Sequence, residues 1–245
     1  MKTALITGAN RSIGFETARQ LLQNGYYVYL GSRNLENGQQ AVDQLKSEGF
    51  SQVEPVQIDT ADGASIKAAR EAVGQKTPVL DVLINNAGIL GTMSQPPLSA
   101  DISMIKEVFE TNLFGVIEVT QAFIDLMRPS PAPRIVNVTS GLGSLTLHND
   151  PSWKYYAVKG AAYQPSKAAL NAYTIMLAYE LRDTPFKVNA VDPGYTATDF
   201  NHHSGPGSVP EAAARVVKAA LLGPDGPTSQ FFSDDNAPET GISPW

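Results

Sequence analysis

The stretch Thr7-Gly8-Ala9-Asn10-Arg11-Ser12-Ile13-Gly14 has residue types and spacing that could do chemistry. Glycines between a strand and a helix let backbone approach a pyrophosphate, whose charge the helix N-terminus favours. The spacing is not the common G-x-G-x-x-G, and a tight turn alone would also use glycine there. The next apolar run ends Leu30-Gly31-Ser32-Arg33-Asn34, with no carboxylate before Glu36. NAD sites usually carry an acid at that point for the ribose 2′-hydroxyl, whereas a 2′-phosphate wants a cation. Arg33 and Arg11 could pair bidentately with such a phosphate; the plain alternative for each is a solvated surface charge. Both together, with the acid missing, point to NADPH. Asp59, in Gln57-Ile58-Asp59-Thr60, could accept a hydrogen bond from the adenine amine or cap the following helix.

Reduction of a ketone needs hydride at carbon and a proton at oxygen. Two Tyr-x-x-x-Lys pairs could supply the proton, Tyr155/Lys159 and Tyr163/Lys167. Four residues apart on a helix, phenol and ammonium share a face. The ammonium favours phenolate and is expected to lower the tyrosine from its usual pKa of about 10. Such a pair is also common on ordinary helix surface. The three histidines, His148, His202 and His203, have no Cys partner, and no metal site is expected. Asp234-Asp235 reads as a solvated acidic turn.

These residues must be held by elements. Strand-like runs fall at 4–7, 27–31, 53–58, 79–85, 135–139, 188–191 and 231–232. Between them lie stretches with helical spacing near 13–24, 35–48, 63–75, 101–127, 165–182 and 210–222. Alternation of this kind implies parallel strands joined by right-handed crossovers, with both sheet faces covered. Neither a repeat nor a domain-splitting linker interrupts the 245 residues, so one α/β domain over 1–245 is expected. Hydrophobic residues at 42% suit a packed core, and the absence of Cys removes disulfides. A net charge of −6 argues against nucleic acid and anionic membranes as partners. No apolar run is long enough for a membrane span, and the N-terminal run is too short for a signal peptide, so a cytoplasmic location is expected.

Taken in order, the motifs resemble the short-chain dehydrogenase/reductase family over nearly the whole chain. Its glycine turn corresponds to Thr7, Gly8 and Gly14. Its N-N-A-G is Asn85-Asn86-Ala87-Gly88, its helix asparagine Asn112, its serine strand Ile135 to Ser140, and its P-G turn Pro193-Gly194. Within the family the chain looks like the carbonyl-reductase-like members. The resemblance implies a Rossmann fold: a doubly wound, mostly parallel seven-stranded sheet with helices on both faces. One departure is Ser12, which stands where the family has a glycine; its hydroxyl could donate to a phosphate instead. The resemblance also separates the tyrosines. The family's lysine precedes the P-G proline by about 26 residues, a gap that one long helix and a strand fill. Lys167 lies 26 residues before Pro193 and Lys159 lies 34 before it, which selects Tyr163 and Lys167.

The roles implied are then specific. Tyr163 is the acid, and Lys167 also holds the nicotinamide ribose. Ser140 hydrogen-bonds the carbonyl oxygen, and Asn112 anchors a proton-relaying water. The cofactor is positioned by Gly8, Asn10, Arg11, Ser12, Ile13, Gly14, Arg33, Asp59, Asn86, Ala87 and Gly88, with Pro193, Gly194, Thr196 and Thr198 at its nicotinamide end. The 23 residues from Ser140 to Tyr163 include an insertion with Trp153, Tyr155 and Tyr156, expected to form a flap beside the substrate. Substrate loops are placed at 142–162 and 195–210. The expected function is a reversible NADPH-dependent carbonyl reductase acting on a small ketone or alcohol. The alternatives are a non-catalytic NADPH-binding regulator and a carbon–carbon double-bond reductase. A homo-oligomer and a monomer are both left open.

Overall fold

The computed structural model describes residues 1–245. Seven strands form one sheet: β1 (Thr3–Ile6), β2 (Tyr27–Ser32), β3 (Val53–Gln57), β4 (Val82–Asn85), β5 (Arg134–Val138), β6 (Lys187–Val191) and β7 (Phe231–Phe232). Their order is β3-β2-β1-β4-β5-β6-β7, and every neighbouring pair is parallel. The order reverses at β1, where Leu5 pairs with Tyr29 on one side and Leu83 on the other. Ligand clefts form at such reversals, beyond the carboxyl ends of the strands.

Successive strand residues serve opposite faces. Ala4 and Ile6 join one core under α1 (Ser12–Gln23), α2 (Leu35–Ser47) and α8 (Val209–Ala220). Leu5 joins the other, under α3 (Gly63–Gly74), α5 (Gly115–Met127) and the end of α7 (Tyr163–Glu180). Burial on both faces is why these strands read as continuous apolar runs. Pro210 lies in the first turn of α8, after a Ser208–Glu211 capping box.

The stretch expected as a single helix near 101–127 is interrupted. It consists of α4 (Ile102–Phe109), a wider π-turn at Glu110–Phe114, and α5. The insertion after β5 is partly ordered as a short helix α6 (Leu145–His148). Its aromatic rings form an edge-to-face row, with His148 to Trp153 at 5.1 Å and Trp153 to Tyr155 at 5.5 Å. Trp153 Nε1 donates to Asn236, so the insertion is packed against the C-terminal segment. The terminal Trp245 stacks on Phe231 of its own chain at 5.5 Å. No helix is long and apolar enough to cross a membrane.

Candidate active site

A cleft of about 1050 Å³ runs along the carboxyl ends of the strands. That exceeds the roughly 300–1,000 Å³ of a pocket for one drug-sized ligand. It is lined by Gly8, Asn10, Arg11, Ser12, Ile13, Gly14, Arg33, Asp59, Asn86, Ala87 and Gly88. Ser140, Tyr163, Lys167, Pro193, Gly194, Thr196 and Thr198 line it too. Asn112 alone among the expected site residues stands behind the wall, fully buried.

The glycine turn is held by packing and by side chains from β4. A Cβ on Gly14 would fall 2.5 Å from the Gly8 carbonyl oxygen, too close for any other residue. Gly8 has φ of +62°, a conformation that costs glycine little. Asn86 Nδ2 donates to the Thr7 and Gly8 carbonyls at 2.9 and 3.0 Å. The Thr7 hydroxyl accepts from the N–H groups of Asn86 and Ala87, both at 3.0 Å. Asn86 therefore shapes the turn, and Thr7, named only as part of the glycine-turn motif, ties that turn to the segment after β4.

Ser12 adopts φ of +52°, the left-handed region the family's glycine would occupy without strain. Its hydroxyl is buried and has no hydrogen-bond partner. It opens α1, whose N-cap residue Arg11 makes no side-chain cap. A buried orphan hydroxyl beside uncapped helix N–H groups fits an anionic phosphate. Arg33 is exposed and forms no ion pair, whereas Arg11 reaches across the cleft to Asp199 at 3.4 Å. Asp59 accepts from the Ala61 N–H at 3.0 Å; the cap of α3 is Asp62, not Asp59.

Tyr163 opens α7 and is 9% exposed. Its hydroxyl lies near Ser140, whose oxygen accepts from the Leu142 N–H at 3.2 Å. Lys167, one turn on and 4% exposed, donates to the Val138 carbonyl at 2.9 Å. Its Nζ lies 5.9 Å from the Tyr163 ring centroid. The expected lowering of the tyrosine by this ammonium is corrected here. Burial pushes the Tyr163 hydroxyl well above the usual phenol range, and the nearby Ser140 hydroxyl offsets this only in part. Burial also lowers Lys167 to about 8. Removal from water outweighs the pairing because each charged form loses its hydration.

Asn112 occupies the π-turn, a feature frequent at functional sites. Its Oδ1 accepts from Ile89 N–H at 2.8 Å, and its Nδ2 donates to the Ile89 carbonyl and to Ser166. A Cβ on Gly88 would lie 3.2 Å from Asn112 Oδ1 and 3.5 Å from Lys167 Nζ, so both groups flank one point. Gly194 takes φ of +83°, and its N–H donates to Asp192 at 2.9 Å. The Thr196 hydroxyl is turned to the Pro193 and Gly194 carbonyls, while Thr198 caps the turn at Asp199–Asn201.

The second Tyr-x-x-x-Lys pair is engaged elsewhere. Tyr155 donates to Asp235 at 2.9 Å, and Lys159 donates to the His148 carbonyl at 2.7 Å. Of Asp234-Asp235, read as a solvated turn, Asp234 is exposed and pairs with Arg215, whereas Asp235 lines the cleft and also takes Lys154 at 2.7 Å. Sequence reading also missed Asp192, buried beneath the P-G turn, where desolvation raises its carboxyl and Ser233 donates to it at 2.6 Å. Phe200, with its ring centroid 5.5 Å from that of Tyr163, and Gln95, which accepts from the Tyr163 N–H at 3.0 Å, fall in loops expected at the pocket but were not singled out. Nothing in their local composition marks them, since each acts on a residue remote in sequence.

Comparison with known proteins gives the family. The short chain dehydrogenase family model matches residues 2–208. A curated relative, (-)-isopiperitenone reductase of Mentha piperita, is 36% identical, with 96% of each chain covered. Among solved structures, salutaridine reductase from Papaver somniferum is 31% identical at a TM-score of 0.83, covering 96% of this chain and all of that one. An NADPH-bound carbonyl reductase from chicken fatty liver is 26% identical at 0.82, covering 100% and 99%. The ordered motifs, the sheet order and these matches together make the chain a member of the short-chain dehydrogenase family, and thereby a nicotinamide-dependent oxidoreductase.

Proposed function

We propose that the protein reduces ketones to secondary alcohols with NADPH, and runs in reverse as an alcohol dehydrogenase. The observation that carries this is one buried cluster, Tyr163 beside Ser140 and Lys167, on the wall of the cleft that the glycine turn also lines. When bound, the reduced nicotinamide supplies hydride to the carbonyl carbon. Tyr163 gives its proton to the carbonyl oxygen, and the Ser140 hydroxyl donates to the charge that develops there. Lys167, aimed between Val138 and Asn112, holds the ribose and helps replace the proton that Tyr163 loses. Asn112 keeps the loop after β4 against α7, fixing the floor under the nicotinamide. Loops 142–162 and 195–210 form the substrate side of the single domain. Leu90, Met93, Tyr155, Val158, Tyr195 and Phe200 give that side a largely apolar wall, suited to a bulky ketone.

Choice of NADPH rests on the unpaired Arg33 and on the absent acid after β2. The carbonyl-reductase relative carries NADPH, in keeping with that choice. Loss of reduced-nicotinamide absorbance over a panel of aryl, alicyclic and keto-ester ketones measures the activity. No oxidation above background with any ketone would overturn the reading. In the same assay, Arg33→Ala raises KM for NADPH by about ten- to a hundredfold and leaves KM for NADH within about twofold, the loss expected for one charge-assisted phosphate contact. Equal changes for both cofactors would remove Arg33 from the 2′-phosphate site.

A further inference from the structure

Gln95 lies in the loop that follows β4 and is buried, 6% exposed. Its side-chain amide joins two parts of the site. Oε1 accepts from the backbone N–H groups of Ala162 and Tyr163 at 3.1 and 3.0 Å. Nε2 donates to the carbonyls of Leu90 and Thr92, both at 2.7 Å. The Gln95 backbone carbonyl takes a further N–H, from Ala161 at 2.9 Å.

The start of α7 needs such an acceptor. The first N–H groups of a helix have no partner within it, and Ser, Thr, Asp or Asn usually serves as the cap. Here the N-cap residue is Ala162, which has no side chain able to do so. Gln95 supplies the missing acceptor from a distant part of the chain, and one of the N–H groups it holds is that of Tyr163 itself. The same loop begins with Ala87, Gly88 and Ile89, pinned by Thr7 and Asn112. With two hydrogen bonds accepted and two donated, the amide has no capacity left for a ligand.

We infer that Gln95 is a positioning residue for the reduction: by capping α7 from the loop after β4, it sets the place of the Tyr163 hydroxyl relative to the nicotinamide floor. The inference rests on Tyr163 being the acid. Small displacements of a reacting group are costly, up to about a hundredfold for 1 Å.

The test compares full-length Gln95→Met and Gln95→Glu with the parent in ketone reduction, NADPH affinity by nicotinamide fluorescence, and thermal melting. Gln95→Met removes all four side-chain bonds; its kcat falls by about tenfold or more while the Kd for NADPH stays within about threefold. Gln95→Glu keeps the acceptor for both α7 N–H groups and loses the donors to the loop; it melts lower yet keeps kcat within about threefold. If Gln95→Met does not fold, Gln95→Asn, one methylene too short to hold both sides, is read in its place. A folded Met or Asn variant with kcat within about twofold of the parent overturns the inference, as does a Glu variant as slow as the Met one. Tyr163→Phe measured alongside keeps the two ideas apart. If it is inactive while the Gln95 variants are fully active, only the positioning role fails; if it is active, the acid itself fails.

Discussion

Tyr163→Phe lowers kcat for ketone reduction by about a hundred- to ten-thousandfold, the usual contribution of a positioned general acid, while NADPH still binds with near-parental affinity. Phenylalanine keeps the ring that packs 5.5 Å from Phe200 and loses only the hydroxyl that lies near Ser140. Because burial holds the Tyr163 hydroxyl above the usual phenol range, the proton is in place throughout the neutral range and the site stands loaded for reduction. The reverse reaction needs the phenolate, and is expected to quicken as pH rises while reduction holds steady. Steady-state rates in both directions, with NADPH titrated by fluorescence, check this. Parental kcat in the phenylalanine variant would remove the proposed acid.

Lys167→Met gives a more stable and nearly inactive protein. The ammonium is 4% exposed and has no carboxylate partner, only the Val138 carbonyl at 2.9 Å. Burial lowers it from 10.5 to about 8, which corresponds to a cost of about 3 kcal/mol for keeping it charged at neutral pH. Losing the charge-assisted hydrogen bond to Val138 returns roughly 1.5–3 kcal/mol of that. The net gain of up to about 1.5 kcal/mol raises Tm by up to about 6 °C for a chain this size. The advantage has a defined pH window. Below about 8 the lysine is charged in both folded and unfolded chains, and the parent carries the whole cost. Between there and 10.5 the unfolded chain binds the extra proton, so the parent gains stability as pH rises and the gap closes. Meanwhile kcat falls by about a hundredfold or more, because the ribose contact and the proton supply are gone. Melting curves of both proteins from neutral to alkaline pH, without cofactor, test this. A methionine variant that melts lower at every pH would show that the lysine stabilises the fold.

The parts of this molecule legible in its sequence are those governed by local rules. β1 runs into Gly8 and Gly14 because apolar burial ends where backbone must bend and pack closely. The Tyr163–Lys167 spacing brings both side chains to one helix face whatever surrounds it. Less legible is α7 as a whole. Its buried stripe includes Tyr163, Ser166, Lys167, Leu170, Asn171 and Thr174, so the face turned inward is largely polar. Asn137 of β5 donates to Thr174 at 2.9 Å and accepts from Asn85 of β4, a network that apolar periodicity cannot reveal. The break of the helix at Glu110–Phe114 was hidden for a related reason. The chain widens there to place the Asn112 amide against Ile89, a demand made by a loop more than twenty residues earlier. The direction of the Tyr163 shift was misread because spacing gives the nearby charge but not the desolvation. Gln95 and Asp192 escaped notice because each completes a segment that its own neighbours in sequence do not predict.

Deuterium transfer tests the central claim most directly. NADPH labelled at the nicotinamide carbon that gives up hydride is incubated with the protein and a ketone it reduces, and the product is read by mass spectrometry and NMR. One deuterium per alcohol, on the carbinol carbon, is the expected result. Deuterium on a neighbouring saturated carbon with the carbonyl intact, or alcohol formed without label, would contradict it.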